Sequence, residues 1–292
     1  MIKILVTGAN GFIGKIITKK LLEDHSVDVY CRHLKKDEPS FITDNQIDLD
    51  ILLLPYKDVA YDYVINCIAC SDTSSKDWDN LYEANCKTTM TLINNLNFDN
   101  FIQFSSFSIY SESSIALGLP DPKNFYGLSK LISEKFLEIQ SCQENKFIVL
   151  RLPIVIGGSK KQNDIINYLY RKLINDETID LFNNGKYLRN IIHVDEVADY
   201  INEMILNSKF TQEYTSINLN SKDTISIYEI CIYMKNKLNS DSKIQFVNKN
   251  NTNDFDSLVL NNFPEIDGYY FKSCIESIDY FIDEMSTSFI TK

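Results

Sequence analysis

Met1-Ile2-Lys3-Ile4-Leu5-Val6-Thr7-Gly8-Ala9-Asn10-Gly11-Phe12-Ile13-Gly14 is the stretch that decides the fold. Ile2 to Val6 is a short, β-rich apolar run of the kind that forms a buried strand. The residues that follow place Ile13, Ile16, Ile17, Leu21 and Leu22 at helical spacing. Between them stand glycines at 8, 11 and 14. The first suits a tight turn, the second lets a backbone approach a pyrophosphate, and the third permits close packing of helix on strand. Free N–H groups and the dipole at the start of the helix near Gly11 favour an anion there. The turn residues Gly8, Asn10, Gly11, Phe12, Ile13 and Gly14 are therefore expected to hold the phosphates of a dinucleotide.

Working outward, apolar runs recur at Val27 to Cys31, Ile47 to Leu49, Val64 to Ala69, Phe101 to Ser105 and Phe147 to Leu152. Helical stretches at Lys76 to Leu96 and Tyr126 to Asn145 separate the later ones. Near-continuous apolar strands alternating with helices predict a parallel sheet covered on both faces. The expected fold is α/β, a Rossmann-type doubly wound parallel sheet with a smaller mixed α/β C-terminal substrate domain. Residues 1–155 are expected to form the dinucleotide-binding domain, with 188–208 returning to it. Residues 156–187 and 209–292 are expected to form the substrate-binding domain.

Composition narrows the function. The 292 residues carry 29 basic and 40 acidic side chains, a net charge of −11 that disfavours nucleic acid and anionic membranes as partners. The seven cysteines are odd in number and scattered through apolar runs, the pattern of reduced thiols in a cytosol. No apolar run is long enough for a membrane span, and the N-terminus lacks a signal-peptide pattern. A cytoplasmic protein is expected. Cys67-x-x-Cys70 has no second pair to complete a tetrahedral site, so no metal is expected. His193, in an apolar run ahead of a helix, reads as a packed histidine.

Two further sites carry chemistry. At the end of the second strand, an acidic residue would bind the ribose 2′-OH of NAD, whereas a basic one suits the 2′-phosphate of NADP. Cys31-Arg32 stands there, with Lys35 and Lys36 nearby, so NADP is favoured over NAD; Asp48 and Leu49 after the third run are expected near the adenine. Tyr126-Gly127-Leu128-Ser129-Lys130 sets a phenol and an ammonium on one helix face. The nearby charge is expected to lower the tyrosine pKa toward that of a working acid or base. Ser106 could hydrogen-bond the same reacting oxygen, with Ser108 beside it toward substrate.

Together these residues resemble the extended short-chain dehydrogenase/reductases, the NAD-dependent epimerase/dehydratase group. The resemblance rests on Thr7-Gly-x-x-Gly-x-x-Gly14, Val64 to Ala69, Asn85, Ser105-Ser106-x-x-Ile109-Tyr110, Tyr126-x-x-x-Lys130, Arg151-x-Pro153 and Arg189 to Ala198. It implies catalytic roles for Ser106, Tyr126 and Lys130, cofactor contacts at Ala69, Asn85 and Pro153, and a substrate diphosphate on Arg189. It also implies a homodimer paired through Lys76 to Leu96 and Tyr126 to Asn145.

Departures from the family pattern bear on substrate. Phe107-Ser108 stands where sugar-nucleotide dehydratases carry an Asp-Glu pair, which disfavours elimination of water. Arg151-Leu152-Pro153-Ile154 differs from the Asn-Pro usual in galactose-type 4-epimerases. Asn248 to Asp254 lacks a second diphosphate-gripping arginine; either a lysine substitutes or the substrate is not a nucleoside diphosphate. The reading is an NAD(P)-dependent reductase of a 4-keto (6-deoxy) nucleotide sugar. A nucleotide-sugar 4-epimerase retaining NAD is the alternative, and a non-catalytic NADP-binding regulator is an alternative of another class.

Overall fold

The computed structural model describes residues 1–31, 53–73, 75–141, 145–157, 164–207, 211–247 and 269–290. Arg32, Lys35, Lys36, Asp48, Leu49 and the Asn248 to Asp254 stretch lie outside them, and with them the basic residues that the NADP preference rests on.

Six parallel strands form the main sheet: β1 (Lys3–Thr7), β2 (Ser26–Tyr30), β3 (Ala60–Asn66), β4 (Asn97–Ser106), β5 (Lys146–Leu152) and β10 (Tyr214–Asn218), in the order β10-β5-β4-β3-β1-β2. Strand residues alternate between two cores because successive side chains leave opposite faces. Ile4, Val6, Ile65, Ile102, Ile148 and Leu150 enter one core, where helices α1 (Phe12–Leu21) and α7 (Val194–Asn207) pack together. Leu5, Val64, Phe101, Phe147 and Val149 enter the other, with Leu92 of α3 (Thr88–Asn95) and Leu137 of α5 (Phe125–Gln140). This two-sided burial is why the strands read as unbroken apolar runs.

The long helical stretch is not uniform. A short α2 (Trp78–Leu81), whose N-cap Asp77 accepts from the Asn80 N–H, passes into a π-helical segment over Tyr82–Lys87 before α3. Helix α5 is capped by Asn124, which accepts from the Gly127 N–H at 2.7 Å.

A third core joins helix α6 (Ile165–Ile174), strand β7 (Ile179–Phe182), helix α8 (Ile227–Lys237) and the C-terminal helix α9 (Cys274–Ile290). Three separate two-stranded ladders lie outside the main sheet: β6 (Ile154–Ile156) with β9 (Ile191–His193), β8 (Leu188–Arg189) with β11 (Ile225–Ser226), and β12 (Ile244–Val247) with β7. The expected boundary at 209 is corrected: β10 follows it in sequence yet pairs with β5 in the main sheet, Ile217 opposite Leu150. Tyr269 and Phe271 also pack on the first core around Tyr200. Apolar residues at the strand edge recruit these late segments, a long-range pairing that local periodicity does not report. Residues of α7 contribute Val197, Ile201 and Met204 to the same core.

The glycine turn fixes the relation of β1, β3 and α1. Gly8 adopts φ +70°, and a Cβ there would lie 2.8 Å from the Cys67 carbonyl carbon and the Ile68 nitrogen. A Cβ on Gly14 would meet the Gly8 carbonyl oxygen at 2.3 Å. Gly14→Ala must push α1 away from the turn. It is expected to cost about 1–3 kcal/mol by overpacking, read as a lower denaturation midpoint at unchanged slope.

Candidate active site

Parallel strands deliver the loops that follow them to one edge of the sheet. Thr7 and Asn66 are opposite in register, as are Ser106 and Leu152. The turn after β1, the Cys67-Ile68-Ala69-Cys70 loop after β3, the Ser106 end of β4 and Pro153 after β5 therefore share this edge. The strand order reverses between β2-β1 and β3-β4, which makes the crevice between the β1 and β3 loops the switch point. Helix α1 begins at Gly11 with no side-chain cap and no acidic residue in its first turn. Its leading N–H groups have no side-chain acceptor of their own. Phe12 leans toward Gly157 beyond β6, so the turn also touches the second part of the chain.

A buried polar layer braces these loops. Thr7 Oγ1 donates to Asn66 Oδ1 at 2.8 Å, and the same oxygen accepts from the Ile68 N–H. Asn66 Nδ2 donates to Gln103 Oε1 at 2.8 Å, and Thr89 joins Gln103 and Ser133. Asn85, expected among cofactor contacts, also braces the loop after β3. Fully buried in the π-helical segment, it accepts from the Cys70 N–H at 2.9 Å and donates to the Cys70 carbonyl and to Ser129 Oγ. Its amide holds the β3 loop against α5. The widened π turn that carries it had no sequence signal in the apolar periodicity.

Ser106, Ser108, Tyr126 and Lys130 converge. Ser106 Oγ donates to Ser108 Oγ at 3.2 Å and accepts from the Ser108 N–H, capping the tight turn Phe107–Ile109. The Tyr126 phenol is hydrogen-bonded to Ser106. Lys130 Nζ lies 5.9 Å from the Tyr126 ring centroid and donates to the Phe104 carbonyl at 3.1 Å. Gly127 is required for this approach, because a Cβ there would lie 2.0 Å from the Ser108 backbone carbonyl oxygen. The phenol and the ammonium share one helix face, and the serine reaches the phenol.

The electrostatics differ from expectation at the tyrosine. Burial pushes the Tyr126 phenol up, the Ser106 hydrogen bond only partly offsetting it. The expected net lowering is corrected: desolvation of the phenolate sets the direction, and the Lys130 Nζ is turned to the Phe104 carbonyl. Burial likewise lowers Lys130 to about 8, against the opposing pull of Cys86 and Glu134.

Other expected residues are placed separately. Ala69 is exposed on the β3 loop and Pro153 is half-buried beyond β5. Arg189 sits on the β8–β11 ladder with its guanidinium over the Tyr187 ring. His193 is fully buried, in a hydrogen bond of 3.0 Å between its Nε2 and Glu284 of α9, and accepts at Nδ1 from the Asp195 N–H. It joins two helices, as a packed histidine does. No metal-competent cluster of three His, Cys, Asp or Glu side chains occurs among the described residues, and no described helix is long and apolar enough to cross a membrane.

Residues 4–219 match the model of the NAD dependent epimerase/dehydratase family. The chain belongs to that family. Among relatives, it is 26% identical over 230 residues to Protein CapI of Staphylococcus aureus, covering 70% of this chain and 69% of that protein. It is 27% identical over 242 residues to the GDP-6-deoxy-D-talose 4-dehydrogenase of Aggregatibacter actinomycetemcomitans, covering 78% and 77%. The fold matches a UDP-glucose 4-epimerase from Thermotoga maritima solved with UDP-glucose, at TM-score 0.83, 19% identity and coverage of 98% and 99%. It also matches a UDP-glucuronic acid 4-epimerase from Bacillus cereus in complex with UDP-glucuronic acid and NAD, at TM-score 0.80, 21% identity and the same coverage. Within this epimerase/dehydratase fold, the Rossmann-type reading stands.

The buried cation has a thermodynamic signature. A lysine lowered from 10.5 to about 8 binds its proton less tightly in the folded chain, so the unfolded state holds more protons across that window and stability rises with pH through it. Below the window the charged amine costs the fold about 3 kcal/mol, at 1.36 kcal/mol per unit. Lys130→Met, which removes the charge and one hydrogen bond, is expected to stabilise the protein by about 1–2 kcal/mol at neutral pH. The gain fades as pH rises past 8 toward 10.5, as denaturant titrations at several pH values will register.

Proposed function

We propose that the chain is an NAD(P)-dependent oxidoreductase that reduces a 4-keto group of a 6-deoxy nucleotide sugar, with NADP favoured by Arg32. What supports this most is a proton-donor tyrosine beside Phe107 and Ser108, where an acid–base pair would serve elimination. Tyr126 is a buried phenol whose pKa burial raises, so it keeps its proton at neutral pH. Phe107 is buried and Ser108 turns its hydroxyl to Ser106, in the two positions where water elimination would call for an acid and a base. The 4-dehydrogenase and the 4-epimerases named above act, by their names, at the same sugar position.

The protein groups divide the work. A nicotinamide dinucleotide, when bound, supplies the hydride. The uncapped start of α1 at Gly11 and the close Gly8 turn fit its pyrophosphate, with Gly8, Asn10, Phe12, Ile13 and Gly14 shaping the cradle. Ala69 and Pro153 border the reacting end. Ser106 donates to the substrate carbonyl oxygen and holds it beside the Tyr126 Oη. Tyr126 gives its proton to that oxygen as the carbon accepts hydride, leaving a phenolate. The Lys130 ammonium, 5.9 Å from the ring centroid, stabilises the anion. Arg189 meets the substrate diphosphate.

A second reading, a 4-epimerase retaining NAD, shares every one of these roles, and the structural neighbour solved with NAD favours keeping it. We further propose a homodimer. Met90, Leu131, Ile132 and Phe136 line an apolar groove between α3 and α5, bordered by the exposed Leu128 and Ile139. A two-fold copy of the same face would cover it.

Tyr126→Phe is expected to lower kcat by roughly 10²-fold or more with cofactor affinity retained. Mass spectrometry of the denatured protein, with NADPH and NADH titrated into stripped protein, separates the two readings. An empty site preferring NADPH by about tenfold, ~1.4 kcal/mol, supports the reductase; tightly held NAD overturns it in favour of the epimerase. Light scattering is expected to give twice the chain mass, and a monomer for Ile132→Glu.

A further inference from the structure

Lys130 is 2% exposed, and an ammonium so placed loses most of its hydration. The groups that face it can be named element by element. From α5 come Tyr126 and Glu134; from the β3 loop, Cys67 and Cys70; from the π-helical segment, Cys86; from β4, the Phe104 carbonyl. Burial pushes the Cys67 and Cys86 thiols up, Cys86 to about 11, so at neutral pH these two are uncharged. Glu134 is the carboxylate of the group, one helical turn past Lys130 and 1% exposed.

Glu134 does not reach that place unassisted. Arg151 of β5 donates to it through Nε at 3.1 and 3.2 Å and through Nη2 at 2.7 Å. Arg151 Nη1 donates to the Tyr110 Oη at 2.8 Å, and that hydroxyl donates to Asn218 Oδ1 of β10 at 2.8 Å. Tyr214 of β10 faces the same pair. Burial opposes the Arg151 charge, but Glu134 outweighs it and holds the guanidinium firmly protonated. A buried ion pair of this kind is a poor source of stability, since apolar residues of similar volume often replace one at no cost. Its position beside Lys130 calls for another account.

We propose that Glu134 is a positioning residue for the reaction: clamped by Arg151, its carboxylate supplies the fixed negative charge that keeps the Lys130 ammonium charged beside Tyr126. The inference rests on the reading in which Lys130 works as a cation. Arg151, Tyr110 and Asn218 then form a relay of fixed hydrogen bonds that sets where this charge stands. Glu134 touches no reacting atom; it acts through Lys130.

The test reads Lys130 directly. Protein labelled with [ε-13C]lysine is titrated by NMR, with the Lys130 resonance assigned by its loss in Lys130→Met. In Glu134→Gln, which keeps the shape and removes the charge, the Lys130 midpoint is expected to fall by about one unit or more. Carbonyl reduction by the full enzyme should lose activity at correspondingly lower pH, and Glu134→Asp should restore the wild-type profile. Should Glu134→Gln alone fail to fold, Glu134→Leu/Arg151→Met removes both charges together and leaves no orphan ion. An unshifted Lys130 midpoint in either folded variant overturns the proposal, and so does failure of both to fold, which would make the pair a structural staple. A shifted midpoint in a protein without oxidoreductase turnover keeps the Glu134 inference and removes the functional reading. Turnover with no shift does the reverse.

Discussion

The ammonium of Lys130 imposes conditions on everything around it. A charge taken out of water needs compensation, and the chain supplies it from three directions: a β4 carbonyl, the Tyr126 ring face and the Glu134 carboxylate. Each comes from an element whose own position is held by polar contacts inside the core. The Thr7-Asn66-Gln103-Thr89-Ser133 chain ties β1, β3, β4, α3 and α5 at one level. The Glu134-Arg151-Tyr110-Asn218 chain ties α5 to β5 and β10. Such networks are costly unless every member is satisfied, and here they gather beside the strand ends, where the loops carrying the site emerge.

The glycine turn governs the other half of the site. With φ +70° at Gly8 and the Gly14 Cα pressed on the Gly8 carbonyl, α1 starts within reach of the β3 loop. The approach leaves the first N–H groups of α1 without a side-chain acceptor, opposite the loop that Asn85 holds. Phosphate site and acid site thus stand on the same sheet edge because parallel strands end there together.

Much of this was legible in the sequence. The glycine spacing, the apolar strands and the Tyr126–Lys130 spacing are local signals: each depends on residues within one turn or one strand. What escaped depends on partners far apart in the chain. Arg151 was read as part of a motif, yet its meaning comes from Glu134, and no local pattern announces that pairing. β10 joins the main sheet although its sequence neighbours belong to the smaller part. Asn85 sits in a π-helical turn that helical periodicity cannot distinguish from an α-turn, so its bracing contacts carry no local signal. The Tyr126 shift was misjudged for a similar reason: spacing reports that a cation is near, but only the fold reports how dry the phenol is. The Arg32 reading lies outside the described residues and stays with the sequence.

The direction of the Tyr126 shift also bears on which way the proposed chemistry runs. Reduction asks the phenol to give a proton once and to be reprotonated from solvent afterward. Epimerisation asks it to take a proton and give it back within one turnover, which is easiest when phenol and phenolate lie close in energy. Burial moves Tyr126 away from that balance and toward the donor form, while in the proposed mechanism the Lys130 ammonium, held charged by Glu134, stabilises the phenolate and moves the balance back. The position of that carboxylate therefore sets more than the charge on one lysine: through it, the proposed network governs how readily the same three side chains could serve a one-way reduction or a reversible exchange.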